Sequence, residues 1–338
     1  CLQNLCQSAR ISMTTLTDNP RHCPYCDAHH SNKLYETLDM YGNEFSVNQC
    51  KECNTVFLSP YPTPQQLEQA YSASYYGEQE QKFTSLVERV VDFFRKQRAK
   101  TISSYIPQSA KVLDIGCGNG RFLHHLLKLG NYEAHGIELP GKAAERAAKV
   151  KGLVLKQGKL QPNDFSDAFF DAVTMFHVIE HLDQPRETLQ TIGQIVKPGG
   201  IAYISMPNID SWQSRLFKGK WLHLDPPRHV FFLSPQHLQN EMQRLGFTLE
   251  KERYFNPEYN PFGMQQSLLN MLYPKRELLF EHLKGNQQYV QGYSNTTLMF
   301  QNLFFKLTFP LFVLSDVVES AFKKGATVEM VFRKVVSG

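Results

Sequence analysis

Apolar positions along the chain recur at two spacings, and the order in which these alternate predicts most of the architecture. Between residues 33 and 50, "KLYETLDMYGNEFSVNQC" alternates apolar and polar positions around a Gly-Asn turn, the period-two pattern of a β-hairpin. "SPYPTPQQLEQAYSASYYGE" runs through Pro-rich punctuation into a short helix. Phe83, Leu86, Val87, Val90, Val91 and Phe94 then fall at helical spacing, predicting an amphipathic helix from Gln81 to about Ile106, stopped by Pro107. Val112–Ile115 is a short apolar run that enters a Gly-rich turn and then a helix from about Arg121. "YEAHGIEL" reads as a second strand ending at Glu138, followed by an Ala-rich helix. Strands alternating with helices in this way indicate βαβ units and a parallel sheet. Phe169–Val178 is apolar with β-branched entries, a strand buried on both faces. Ser234 and Pro235 form a helix start as N-cap and first residue. Phe247–Phe255 and Thr327–Val335 alternate like the closing strands of a sheet, and the stretch between them is far too long for a hairpin. A helical insert is therefore expected over 256–326. Within it, "TTLMFQNLFFKLTFPLFVLSDVV" is apolar on most faces, but Gln301, Asn302, Lys306 and Pro310 interrupt it and argue against a membrane span.

Composition adds bounds. The 338 residues allow one large domain with an appendage, and 42% hydrophobic with 20% charged residues suits an ordinary globular core. A formal charge of +4 is mild for this length and makes a nucleic-acid partner unlikely. The chain opens on Cys1, with Met13 an alternative start and no leader pattern, so residues 1–19 are expected to be a disordered extension and the location cytoplasmic. Seven cysteines occur, and Cys23-x-x-Cys26 and Cys50-x-x-Cys53 form two pairs separated by 23 residues. Each short turn delivers two thiolates from one side, which together make a tetrahedral zinc site with no open position for water. A structural zinc-ribbon module is expected over 20–62, followed by a helical linker over 63–107.

Two further stretches bear on chemistry. "VLDIGCGNG" places Asp114 before Gly116, Gly118 and Gly120; it matches neither the dinucleotide fingerprint nor the P-loop. Glu138 lies 18 residues beyond Gly120, where an acid at the tip of the second strand meets ribose hydroxyls in nucleotide-binding βαβ folds. A carboxylate suits that position because it accepts from two vicinal hydroxyls at once. "HVIEH", His177 to His181, has the inverted zinc-peptidase form H-x-x-E-H. That reading needs all three residues on one helix. The preceding strand runs into His177, so the helical geometry fails and the peptidase reading is rejected.

Taken together, "VLDIGCGNG", "GIEL", "FFDAVTMFHVIEHL" and "IVKPGGIAYISMPN", continued by "LQNEMQRLGFTLEKERYF", resemble the class I S-adenosylmethionine-dependent methyltransferases. The resemblance runs in order from Lys111 to about Phe255. It implies an α/β fold with a doubly wound, seven-stranded, mostly parallel sheet, formed by 108–255 and 327–338. It implies S-adenosylmethionine held by Asp114, Gly116, Gly118, Gly120, Glu138 and Leu139, with Phe176 and His177 facing the cofactor. Many members carry an acid beside adenine where this chain has Lys159, so backbone and Leu160 are expected there instead. Glu180 and His181 would stand at the mouth of the acceptor pocket. There they would act on the acceptor, hold a divalent metal as some quinone-pathway relatives are thought to do, or merely cap the next helix. His181, His223 and His229 are candidate catalytic bases. The acceptor is expected to be a small molecule of sugar, quinone or other secondary-metabolite type; the four-cysteine front also resembles sugar C-methyltransferases. An RNA or protein methyltransferase and a non-catalytic cofactor-binding scaffold are the alternatives. The insert suggests a lid, a homo-oligomer interface or a peripheral membrane contact through 296–318, with the lid or interface ranked first.

Overall fold

A computed structural model describes residues 22–71 and 85–336. The extension expected over 1–19, the start of the helix expected from Gln81 and the apolar position Phe83 lie outside them. The hairpin forms as read: β1 (Ser31–Leu38) and β2 (Glu44–Cys50) pair antiparallel, and β3 (Val56–Ser59) adds to β2. Helices Pro64–Ala70 and Ser85–Ser103 follow. Thr63 caps the first with a reciprocal capping box, its hydroxyl accepting from Gln66 N while Gln66 Oε1 accepts from Thr63 N.

The main sheet has seven strands. β4 (Lys111–Ile115), β5 (Glu133–Glu138), β6 (Leu153–Gln157), β7 (Phe170–Phe176) and β8 (Val196–Pro207) are parallel. β10 (Phe247–Arg253) and β11 (Thr327–Lys334) close it, with β11 antiparallel to both β8 and β10. The spatial order is β10-β11-β8-β7-β4-β5-β6, so the expected doubly wound, mostly parallel sheet is present. Side chains alternate between its faces: Val112 and Leu113, adjacent in β4, enter two different apolar clusters. One cluster packs Ile102, Phe122 and Leu126 against the sheet; the other packs Ile192, Leu238 and Met242 against the opposite face. Helix Pro235–Arg244 starts on the Ser234 cap as expected.

The front module is not a separate bead. A two-residue strand, β9 (Phe231–Phe232), arrives from the loop after β8 and pairs with β3, completing a four-stranded sheet. Trp221, fully buried, packs with Phe45, Val47, Leu58 and Phe232 where the two units join. The insert is likewise pinned. Helix Asn260–Leu272 starts at Asn260, whose amide donates to Tyr254 O and Asp316 Oδ1 (2.9 and 2.7 Å) while its oxygen accepts from Thr327 Oγ1 (2.8 Å). The Arg276 guanidinium donates to Thr37 Oγ1, Leu38 O and Gly219 O, tying the insert to the first hairpin.

Residues 295–321 form a single helix of 27 residues, Asn295–Ala321, that is long and apolar enough to cross a membrane by length and composition. The interruptions do not break it. Gln301 is buried against the protein, Asn302 donates back to Leu298 O within the helix, and Pro310 sits on the exposed side.

Candidate functional site

The order of the sheet fixes where a ligand belongs. The chain runs outward from β4 through β5 to β6, then returns to place β7 on the other side of β4. Ligands bind open α/β sheets in the crevice at the carboxyl ends of the two strands flanking such a reversal. Here the ends of β4 and β7 are the glycine loop and "HVIEH", and they touch: a Cβ on Gly116 would lie 2.4 Å from Val178 Cγ2. Gly116 (φ +71°) is therefore required for both its left-handed backbone and this close approach. Gly118 (φ +56°) faces open space, the side on which a ligand can meet the loop.

Glu138 closes the loop from β5. Its Oε2 accepts from Gly118 N at 2.6 Å and its Oε1 from Leu139 N at 3.1 Å. Burial raises its pKa, opposed by these two backbone donors. Each oxygen keeps a further lone pair, so the pair of ribose hydroxyls expected from the sequence fits this carboxylate. Asp114 lies deeper and is fully buried, accepting from Thr174 Oγ1 at 2.7 Å; burial pushes its carboxyl up to about 7. It thus joins β4 to β7 beneath the loop. Gly120 is the left-handed N-cap of helix Arg121–Leu126, Leu139 is exposed, and Leu160 is half-buried against the core.

At the end of β7, Phe176 packs edge-on to Phe122 in the first turn after the glycine loop, while Arg98 lies 5.4 Å above its ring. Arg98 is held between Phe176 and Tyr259 and pairs with Glu258. It ties the linker helix, the strand end and the insert together. His177 (φ +54°) turns the chain off the strand; its N–H donates to Ser205 O (2.9 Å) and its ring lies against Tyr259, centroids 4.4 Å apart. A single 3₁₀ turn, Ile179–His181, follows, so His177, Glu180 and His181 never share a helix and the peptidase geometry is absent. Nor do Glu180 and His181 cap the next helix: Pro185–Ile195 is preceded by Gln184, with no side-chain cap.

Instead, "HVIEH" meets the loop after β8. His181 Nδ1 lies 2.9 Å from Arg228 O and 2.9 Å from Tyr71 Oη; because a carbonyl can only accept, Nδ1 carries the proton. His229 Nδ1 donates to His223 O at 2.7 Å in the same way. Both imidazoles therefore keep an Nε2 lone pair. Between them sits Glu180, with Oε1 3.9 Å from His229 Nε2 and 3.4 Å from His177 Nδ1, and neither of its oxygens has a hydrogen-bond partner among the described residues. One ligand atom from each of Glu180, His181 and His229 falls within 4.8 Å of the others. Burial lowers the histidines, His181 to about 4 and His177 to about 3, and raises Glu180. His229 is lowered by burial too, against the opposing field of Asp225, whose Oδ2 lies 3.7 Å away and which also binds Arg228. His223 joins from the side. Its Nε2 has no hydrogen-bond partner among the described residues and lies 2.5 Å from where a Cβ on Gly263 would sit, so the insert walls this ring in. Sequence reasoning named the four histidines and Glu180 but missed Tyr259, Arg98 and Gly263, which come from the linker and the insert.

The family model for "Methyltransferase domain" matches residues 80–252. The chain belongs to this family. Being a methyltransferase, it is similar to ubiquinone biosynthesis O-methyltransferases: 34% identical over 169 residues to that of Azoarcus sp. (strain BH72), covering 45% of this chain and 69% of the relative. To that of Albidiferax ferrireducens it is 32% identical over 106 residues, covering 29% of this chain and 41% of the relative. Among solved structures, a putative sarcosine dimethylglycine methyltransferase from Galdieria sulphuraria covers 76% of this chain, with 91% of its own chain covered, 14% identity and a TM-score of 0.49. The methyltransferase uses S-adenosylmethionine, and the switch-point crevice with Glu138 and the glycine loop suits that cofactor.

The four cysteines form the second centre. Cys23 Sγ lies 3.6 Å from Cys53 Sγ, and Cys26 Sγ 3.5 Å from Cys50 Sγ. A tetrahedron of thiolates at a zinc–sulfur distance of about 2.3 Å has edges of about 3.8 Å, so the cluster fits zinc. The two knuckles repeat each other. Asp27 and Asn54, both left-handed, donate N–H to Cys23 O and Cys50 O, and Cys23 N and Cys50 N donate to Ala28 O and Thr55 O.

Proposed function

We propose that this enzyme methylates a hydroxyl- or amine-bearing small molecule at the cluster of Glu180, His181 and His229. The observation that carries the reading is a surplus of acceptors: both Glu180 oxygens are buried with no hydrogen-bond partner among the described residues, and the Nε2 lone pairs of half-buried His181 and buried His229 stand beside them. Unpaired acceptors in a buried site are costly, so a proton or a cation belongs between them. An acceptor O–H or N–H supplies the proton. Its oxygen or nitrogen attacks the methyl carbon of S-adenosylmethionine in line, the carbon–sulfur bond breaks, and S-adenosylhomocysteine leaves. The proton passes to His229 Nε2, with His223 O and Asp225 holding the imidazole in place. Relatives named as O-methyltransferases support oxygen as the methylated atom.

The same donor set favours a second reading, a divalent cation held by Glu180, His181 and His229, whose Nδ1 protons on backbone carbonyls orient them as ligands. Such a cation would act as a Lewis acid toward the acceptor oxygen. The two readings exclude each other, because His229 has one Nε2 lone pair. Structural zinc in the cysteine cluster belongs to the same proposal. Incubation with methyl-tritiated S-adenosylmethionine and cell extract, fractionated into small molecules, protein and RNA, tests the acceptor; label confined to macromolecules refutes it. Metal analysis separates the centres. Base catalysis predicts one zinc per chain, lost in Cys50→Ser and retained in Glu180→Gln; a second cation lost in Glu180→Gln establishes the metal reading.

A further inference from the structure

Helix Asn295–Ala321 is built inside out. Its polar residues Gln301, Asp316 and Glu319 are buried against the protein, where Asp316 accepts from Asn256 N and Asn260 Nδ2 and Glu319 from Gln213 Nε2. Its apolar residues face outward. A heptad runs through them: Phe300, Leu307, Leu314 and Ala321 occupy one repeating position and Leu303, Pro310 and Val317 the other, all exposed, with exposed Leu311 and Val318 widening the stripe on one flank and Met299 on the other. Leu307 and Leu314 are 69% and 61% exposed, and no charge enters this seam over about 33 Å of helix. Lys306 is exposed beside the seam, on its flank.

A spacing of three and four residues sustained over three heptads, with the charge on the flank, is the pattern of a helix–helix seam. A helix that lies in a bilayer interface carries Lys and Arg on the face opposite its apolar one; here that face holds Asp316 and Glu319 and is turned into the protein. The patch continues past the helix end, where Phe322 packs on Trp212 (centroids 5.4 Å apart), both exposed. Depletion of charge across a long, apolar, self-similar stripe is the composition of a homodimer interface.

We infer that this helix is the dimer interface of the enzyme, pairing its seam with the same helix of a second copy across a twofold axis. The interface is independent of the methyl-transfer reading. Sedimentation of the full chain at about 10 µM is expected to show a dimer, and Leu307→Glu with Leu314→Glu to weaken it at least about 100-fold. Both side chains are exposed, so S-adenosylmethionine binding in the variant should match wild type and show that it folds. A wild-type monomer at that concentration, or a dimer unmoved by the double substitution, overturns the inference. So does a monomeric wild type that co-sediments with phosphatidylcholine–phosphatidylglycerol vesicles through these leucines, which would make the stripe a lipid-facing surface.

Discussion

The proposed cofactor end and the proposed acceptor end of this enzyme sit side by side on one sheet but are constructed differently. The cofactor end is local. Gly116, Gly118, Gly120 and Glu138 lie within one strand–helix–strand unit, joined across a pair of adjacent strands by Gly116 N on Ile137 O and Gly118 N on the Glu138 carboxylate. The acceptor end gathers Glu180 and His181 from after β7, His223 and His229 from the loop after β8, Arg98 from the linker helix and Tyr259 from the insert. One end is specified by a short run of residues, and the other only by the completed fold. A local site tolerates change elsewhere in the chain, whereas a gathered site is exposed to every element that holds it.

The sharpest way to break this contrast is to remove one member of each end and ask whether the losses stay apart. Glu180→Gln keeps the shape but removes the charge facing His229, and methyl transfer should fall by about 10²–10⁴-fold in kcat. S-adenosylmethionine affinity, measured by calorimetry, should stay within about threefold. A comparable loss of cofactor affinity would merge the two ends into one. Conversely, Glu138→Ala removes the carboxylate proposed to hold the ribose and should weaken S-adenosylmethionine binding by about 10–100-fold, as expected for lost charge-assisted hydrogen bonds. Unchanged affinity would show that the loop holds the cofactor without it.

The same contrast explains what could be read from residues alone. The strand, the glycine loop, the acid at the tip of β5 and both cysteine knuckles were legible because each rests on short-range geometry: left-handed turns, apolar runs and fixed spacings. So were the closing strands β10 and β11, through their alternation. The pairing of β9 with β3 was not legible, since a two-residue strand carries no periodicity and its partner lies more than 170 residues away. Nor was the role of Gly263. In sequence it is a weak spot in an apolar helix; in the fold it is the space occupied by the His223 ring. Gly263→Ala should accordingly destabilise the protein by about 1–3 kcal/mol in urea or thermal unfolding, although alanine is the better helix former. A stabilised variant would mean that His223 can swing away, and that the insert does not wall in the acceptor end.

The smallest expected effect is on pH dependence, and it bears on the state in which the gathered site works. Imidazoles in water titrate near 6.5, but burial lowers His229 and takes His181 down to about 4. A lowered pKa keeps the base form populated as pH falls, so His229 stays competent to take the acceptor's proton below the ordinary imidazole range. The acid limb of kcat/KM should therefore lie below pH 6.5, and the profile should be flat from about 6.5 to 8. Asp225 opposes the burial by favouring the imidazolium. Asp225→Asn should thus move the limb further toward acid. A limb at or above 6.5 in the wild type would place the working base outside this buried cluster. A limb that moves toward alkali in Asp225→Asn would show that Asp225 does not stabilise charge on His229, and that the acceptor end is organised around another group.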